Sequence, residues 1–352
     1  MRVIFFINSC FKGYRRADSG FSNYKKPTCP IQLNPPSFIL YPKSNILSLH
    51  PKMKSANQSW IILIFLAFVW GSSFILMKKS MYPTGGEMVL DPYQVGTLRI
   101  VIAALVLMPF AIRDFRFLTK KDFFLLAVAG VTGNLIPATL FTLAETQIDS
   151  SLAGMLNMGT SFFVVLIGIF FYKSKPSKFQ VAGLVCGASG LYMILHSQIQ
   201  FDFGKIEYAL LILLATLSYA ICLTTVKFKL QHLPALAITS LAFFIILWPA
   251  LISTLLLGTF DPLTNHPDGM KALGFLTILS VVGTALAVFL FNKLVSVASH
   301  IFATGVTYLM PVVAVFLGVL DGDDFKLANV PWIALIITGV WLLNDGPKKL
   351  AK

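Results

Sequence analysis

From residue 60 to residue 344 the chain is a succession of ten apolar runs, each close to the roughly 20 residues that a helix needs to cross the hydrocarbon core of a bilayer. They fall near 60–77, 93–112, 123–143, 150–172, 179–197, 207–226, 235–258, 272–292, 299–320 and 327–344. Hydrocarbon offers no partner to a backbone N–H or C=O, so each run must satisfy its own hydrogen bonds as an α-helix. The short alternating segments of a membrane β-barrel are absent. The predicted fold class is therefore an all-α integral membrane protein with ten transmembrane helices. Composition agrees, since 56% of residues are apolar and only 12% charged, against about 25% charged in soluble domains.

The basic residues set the expected orientation, because Lys and Arg accumulate on the cytoplasmic side of short loops. With the N-terminus inside, the cytoplasmic segments hold Lys43, Lys52, Lys54, Arg113, Arg116, Lys120, Lys121, Lys173, Lys175, Lys178, Lys227, Lys229, Lys293, Lys348, Lys349 and Lys352. The external loops hold only Lys78, Lys79, Lys205, Lys271 and Lys326. Both termini are thus expected in the cytoplasm of a multi-pass cell-membrane protein. The net charge of +13 is read as a topology signal and not as a nucleic-acid footprint, which would cluster on one soluble face.

Residues 1–58 form the expected N-terminal tail. Residues 1–52 mix Cys, Pro, Asn, Tyr and scattered bases without helical periodicity, and the apolar run at 3–7 is too short for a signal-peptide core. Met53 followed by a few polar residues and the first span reads as a compact start, so translation is expected to begin there; a disordered cytoplasmic tail is the alternative. Cys10, Cys29, Cys186 and Cys222 show no metal-knuckle or disulfide spacing and are read as inert.

Two stretches of the chain align. Residues 154–168 (GMLNMGTSFFVVLIG) match 305–318 (GVTYLMPVVAVFLG), and Trp70-Gly71-Ser72-Ser73 leading to Lys78 parallels Tyr219-Ala220-Ile221-Cys222 leading to Lys227. The expected halves are 59–198 and 206–345, with 346–352 as a C-terminal tail. Five helices per half is odd, so the second half must enter the membrane with opposite polarity, the arrangement that supports alternating access around a midplane site.

Trp70-Gly71-Ser72-Ser73-Phe74, Arg99 early in the second span, Tyr308-Leu309-Met310-Pro311 in the ninth and Gly322-Asp323 after it resemble the EamA-type members of the drug/metabolite transporter superfamily. The resemblance covers about 60–344. It implies efflux or exchange of amino acids, their derivatives, nucleosides or other small metabolites. The chain departs from the family pattern at Thr160, where Pro is usual, at Tyr172-Lys173-Ser174, where Gly-Glu is expected, and at Asp323, where the acid is usually Glu.

Arg99 is the formal charge placed well inside a span. Such a residue costs about 2.5–3.5 kcal/mol on insertion scales, so it should face protein or water and have a partner. Glu145 and Asp149, at the external ends of the third and fourth spans, are its candidate partners. The ion pair either fixes helix packing or gates access; alternatively, Arg99 binds a substrate carboxylate. Asn134, Asn157 and Tyr308 are candidates for a polar cavity, because an amide or phenol in lipid needs a partner. Trp70 and Tyr219 either pack in the core or wall that cavity. Gly130, Ala138, Gly154 and Ser161 are read as close helix packing, and Pro137 is expected to kink the third helix.

No Asp or Glu falls at the centre of a span, so facilitated diffusion or exchange is expected over tight proton coupling, with Glu145 still able to titrate at the external mouth. His50, His196, His232, His266 and His300 are dispersed, and no HExxH or paired acidic motif suggests a metal, a cofactor or an enzyme. A channel would need a charged ring or a filter loop. The expected partners are a small-molecule substrate and the lipid bilayer, with no nucleic acid. The expected solute is polar; a lipidic or hydrophobic-drug solute is the alternative and predicts an opening between helices toward the bilayer. Dimerisation is left open.

Overall fold

The computed structural model describes residues 56–173, 175–199, 204–297, 306–323 and 327–345, and the side chains of a few helical residues, Tyr308 among them, lie outside the description. The expected tail, 1–55, is outside it as well. Among the described residues the chain is all helical, with no strand. In order the α-helices are α1 (Ala56–Gly71), α2 (Ser73–Met81), α3 (Pro92–Asp114), α4 (Lys120–Gly130), α5 (Ile136–Ala144), α6 (Ser150–Leu156), α7 (Gly159–Tyr172), α8 (Lys178–Ile199), α9 (Gly204–Lys229), α10 (Ala235–Leu256), α11 (Phe260–Asn265), α12 (Gly269–Ser280), α13 (Ala287–Val297), α14 (Val306–Leu320) and α15 (Val330–Asp345).

Seven helical stretches are long and apolar enough to cross a membrane: Gln58–Met81, Pro92–Phe117, Lys120–Ala144, Ser150–Tyr172, Ile206–Lys229, Ala235–Leu256 and Gly269–Phe291. Three apolar helices, Lys178–Ile194, Leu309–Leu320 and Leu327–Leu342, are shorter. Large apolar side chains such as Phe170, Phe171, Trp248 and Leu256 point outward. That surface is stable only where the surrounding medium is itself apolar.

Local chemistry explains where these helices start and bend. Asp91 caps α3, its Oδ1 accepting from the N–H groups of Tyr93 and Gln94 while Gln94 Oε1 accepts from Asp91 N–H, a capping box that satisfies orphan donors. The first span is not continuous. Ser72 and Ser73 hydroxyls both donate to the Val69 carbonyl at 3.0 Å, and such back-bonding bends a helix. The fourth is broken at Asn157 and Met158, where i→i+3 bonds from Thr160 N–H to Asn157 O and Ser161 N–H to Met158 O tighten the turn.

The third and eighth spans each contain a π-bulge, Val131–Leu135 and Val281–Leu286. Written together, Val131-Thr132-Gly133-Asn134 and Val281-Val282-Gly283-Thr284 occupy the same place in the two halves. The distortion has a different cause in each. Pro137 lacks the N–H that would reach the Gly133 carbonyl in a regular helix, whereas the Gly283 carbonyl accepts a bond from the Trp70 indole N–H at 3.1 Å. The proline kink expected in the third helix is thus a π-bulge just before Pro137.

Packing between the halves is reciprocal. α9 lies on α4, α5 and the first bulge, while α1 and α2 lie on α12, α13 and the second. α3 packs along α10, α8 along α15 and α6 against α14, each a pair of corresponding helices. Close approach needs small residues. A Cβ on Gly133 would sit 2.5 Å from Cys222 Sγ and one on Gly283 3.2 Å from Ser73 Oγ, so the two bulge glycines face repeat-paired residues of the opposite half. Gly130 and Gly154 are equally committed to packing, against Ala242 O and Ala314.

Candidate functional site

The bulges and helix breaks converge on one region. Arg99 leaves α3 half-buried, and its Nε and Nη2 both donate to Thr284 Oγ1 in the second bulge at 3.4 Å, with Nη1 3.5 Å from Met77 Sδ on α2. Its partners in contact are therefore a hydroxyl and a thioether. Tyr219 and Glu145 are the other ionisable groups that act on it electrostatically. Trp70 stands beside the same bulge, bonded to Gly283 and tilted against Phe291 with centroids 5.4 Å apart. A row of rings, Phe74, Phe141 and Tyr219, with centroids 5.7 and 6.1 Å apart, crosses from α2 over α5 to α9.

Asn134 is half-buried in the first bulge, at the position equivalent to Thr284. Asn157 lies at the break between α6 and α7; its Oδ1 and the Thr160 hydroxyl oxygen are buried without a hydrogen-bond partner. Buried polar atoms are normally satisfied, so this break presents two acceptors to whatever polar group reaches it. The Tyr308 side chain lies outside the described residues. The structure thus gathers Trp70, Arg99 and Tyr219 around α2, α3, α5, α9 and the second bulge, and places Asn134 and Asn157 on the first bulge and the α6–α7 break.

The expected pairing of Arg99 with Glu145 or Asp149 is not formed in this structure. Asp149 stands at the N-cap position of α6. Glu145, just past α5, is 3% exposed, and neither of its carboxyl oxygens has a hydrogen-bond partner. A different ion pair closes that end of the molecule. Lys78 Nζ lies 3.0 Å from Asp323 Oδ1 and 3.5 Å from Asp321 Oδ2, and Lys79 Nζ lies 2.6 Å from Asp321 Oδ1. Asp323 Oδ2 in turn accepts from Ser151 N–H and Ser151 Oγ–H at 3.0 and 2.9 Å. The ends of α2, α6 and α14 are locked together, and Gly318 is obliged to be glycine because a Cβ would collide with Ser151 Oγ and the Asp323 carboxylate.

The lock was not apparent in the sequence. Lys78 and Asp323 appeared only as marks of the repeat and of the family pattern, and Thr284, Met77, Ser151 and Asp321 did not stand out. The signals that could have found them were the repeated Val-x-Gly-polar pattern and a lysine at an apolar helix end needing a carboxylate.

Among the described residues, a cavity of about 190 Å³ at the opposite end is lined by Gly168, Lys175, Gln180, Thr224, Lys227 and Phe228 among others. Another, about 400 Å³, lies between α3, the third span and α10, lined by Tyr93, Thr97, Leu135, Thr139, Ser253, Leu256 and Leu257. Among the described residues no cluster of His, Cys, Asp and Glu could hold a metal ion.

The model of the EamA-like transporter family matches residues 58–196 and again 207–345. A protein named probable amino-acid metabolite efflux pump, from Salmonella typhimurium, is 23% identical over 82% of this chain and 95% of its own length. The inner membrane transporter YedA of Escherichia coli K12, named as uncharacterized, is 26% identical over 81% of this chain and 90% of its own. A crystal structure 17% identical in sequence superposes on 85% of this chain and 100% of its own, with a TM-score of 0.56.

Proposed function

The chain belongs to the EamA-like transporter family and is a multi-pass membrane transporter rather than an enzyme; on that premise we propose that it exports or exchanges small polar metabolites, such as amino acids or their derivatives, by alternating access. The reading takes all ten apolar helices as crossings of the cell membrane, in two inverted five-helix repeats with both termini cytoplasmic. The reciprocal packing of the halves supports it. So does the relative whose name refers to amino-acid metabolite efflux.

The observation that carries the solute class is Arg99, a half-buried guanidinium about two turns into α3 that is met by a hydroxyl and a thioether and, among the described residues, by no carboxylate within hydrogen-bonding distance. A cation there needs an anionic partner. A solute carboxylate would supply it, with Trp70 and Tyr219 as walls, Thr284 holding the guanidinium in place, and Asn134, Asn157 and Tyr308 meeting the solute's other polar groups. In this conformation the Lys78–Asp323–Ser151 lock closes one end, the external one under the charge-based orientation, and Glu145 and Asp149 lie beside it.

The test is counterflow in liposomes loaded with pools of amino acids and nucleosides. The wild type should show saturable exchange of carboxylate-bearing solutes. Arg99→Gln should lose at least about tenfold in apparent affinity, the worth of a hydrogen bond to a charged group, and Asn157→Leu should slow exchange. Exchange equally strong in Arg99→Gln would discard the site while keeping the transporter. A second reading, a lipidic or drug-like solute, is favoured by the roughly 400 Å³ cavity, whose rim residue Leu256 is 83% exposed and opens between helices. Exchange confined to amphiphilic solutes would select it.

A further inference from the structure

Glu145 is an acid that the solute site leaves without a task. It is 3% exposed, both carboxyl oxygens lack a hydrogen-bond donor, and it does not touch Arg99. The charged groups that act on it are Lys78 from α2, Arg99 from α3 and Asp323 beyond α14. Of these, the Lys78 ammonium is engaged by Asp323 and Asp321, and Asp323 is bonded to Lys78 through one oxygen and to Ser151 through the other. An ionised Glu145 would be a buried charge beside another carboxylate with no donor of its own. Burying such a charge costs far more than burying the neutral acid.

We propose that Glu145 is a proton-binding site coupled to the lock: it carries a proton while Lys78 is held by Asp323, and releases it when the lock opens. Opening breaks the Lys78–Asp323 contact. The Glu145 O–H bond then breaks, the proton passes to water at the exposed mouth, and the carboxylate left behind takes the freed Lys78 ammonium. Closure reverses each step, so one proton accompanies each cycle of the gate even though no acid lies at the centre of a span. The inference rests on the reading that this end opens during transport.

Infrared spectroscopy of the reconstituted full chain tests it without any solute. The chain has three glutamates, Glu87, Glu145 and Glu207, and the first and last are exposed. Glutamate labelled at its carboxyl carbon therefore isolates Glu145. At neutral pH the wild type should show a label-sensitive C=O band of a protonated carboxyl, absent in Glu145→Gln. Asp323→Asn frees Lys78 and should move the titration of that band down by about 1–3 pH units; Lys78→Gln removes the ammonium and should move it up, the size expected of a nearby charge. No such band at neutral pH, a band that survives in Glu145→Gln, or a titration indifferent to both lock variants would overturn the proposal. If Glu145→Gln does not fold, the labelled wild type still decides whether the acid is protonated. Absence of solute exchange alongside the expected spectra would count against the transport reading and not against this site.

Discussion

Lys78 and Lys227 stand at the same distance beyond their repeat-paired aromatics, Trp70 and Tyr219, yet they sit in opposite states. Lys78 is bound by two aspartates and closes its end of the molecule. Lys227 lines an open cavity with Lys175, lies 5.4 Å from the Phe228 ring centroid, and among the described residues has no ion-pair partner. The loops that follow α7 and α14 show why. Each turns through a left-handed residue, Lys173 at φ 51° and Gly322 at φ 96°, but the second supplies Asp321 and Asp323 and the first supplies Lys173 and Lys175. One half of the fold thus closes at its end while the other stays open, and the departure from Gly-Glu at Tyr172-Lys173-Ser174 is where the symmetry is broken.

Breaking the closed end should have the largest effect. Asp323→Asn removes the carboxylate that holds Lys78, and about 2 kcal/mol of stability should go with a charged hydrogen bond of this kind, read as a lower thermal midpoint in detergent. Next comes the contrast between the paired aromatics. Trp70→Phe loses the bond to Gly283 and should cost about 1 kcal/mol, whereas Tyr219→Phe, whose ring contacts persist, should cost less in the same assay. Equal losses would mean that the two bulges are held alike.

Lys227→Gln should change the thermal midpoint by no more than about 0.5 kcal/mol of equivalent stability, as for an exposed side chain outside any network. A large loss there would reveal a carboxylate partner and erase the contrast between the ends. The smallest effect is expected at the pair at the start of α12 between Asp268 and Lys271, 2.7 Å apart. The hydrogen bond from Lys271 holds the Asp268 carboxyl below its ordinary value. A depressed carboxyl stabilises at neutral pH and loses that contribution only as pH falls through its folded value. Asp268→Asn should therefore lower the midpoint slightly near neutrality, the pair being solvent-exposed, and the difference from the wild type should vanish as the pH is taken into acid.

Much of this architecture was legible in the sequence, because a membrane helix is encoded locally. Twenty apolar residues between polar caps suffice, and Asp91-Pro92 with Gln94 marks a helix start without reference to any other segment. The halves were legible through Trp70-Gly71-Ser72-Ser73 and residues 154–168. The first bulge was legible as a kink at Pro137, but the second was not, since its partner is an indole belonging to another helix, and neither the break at Ser72 nor that at Asn157 interrupts the run of hydropathy.

The sequence by itself determined an all-helical membrane protein of two halves, its family resemblance, and the residue types available for a polar site, because those depend on neighbours along the chain. Only the tertiary structure decided which groups meet: Trp70 with Gly283 across 213 residues, Arg99 with Thr284 across 185, and Lys78 with Asp323 across 245. Helical periodicity fixes which face of a span a side chain occupies. It carries no information about which of the other helices that face will find, and a buried charge takes whatever partner the packing brings within reach.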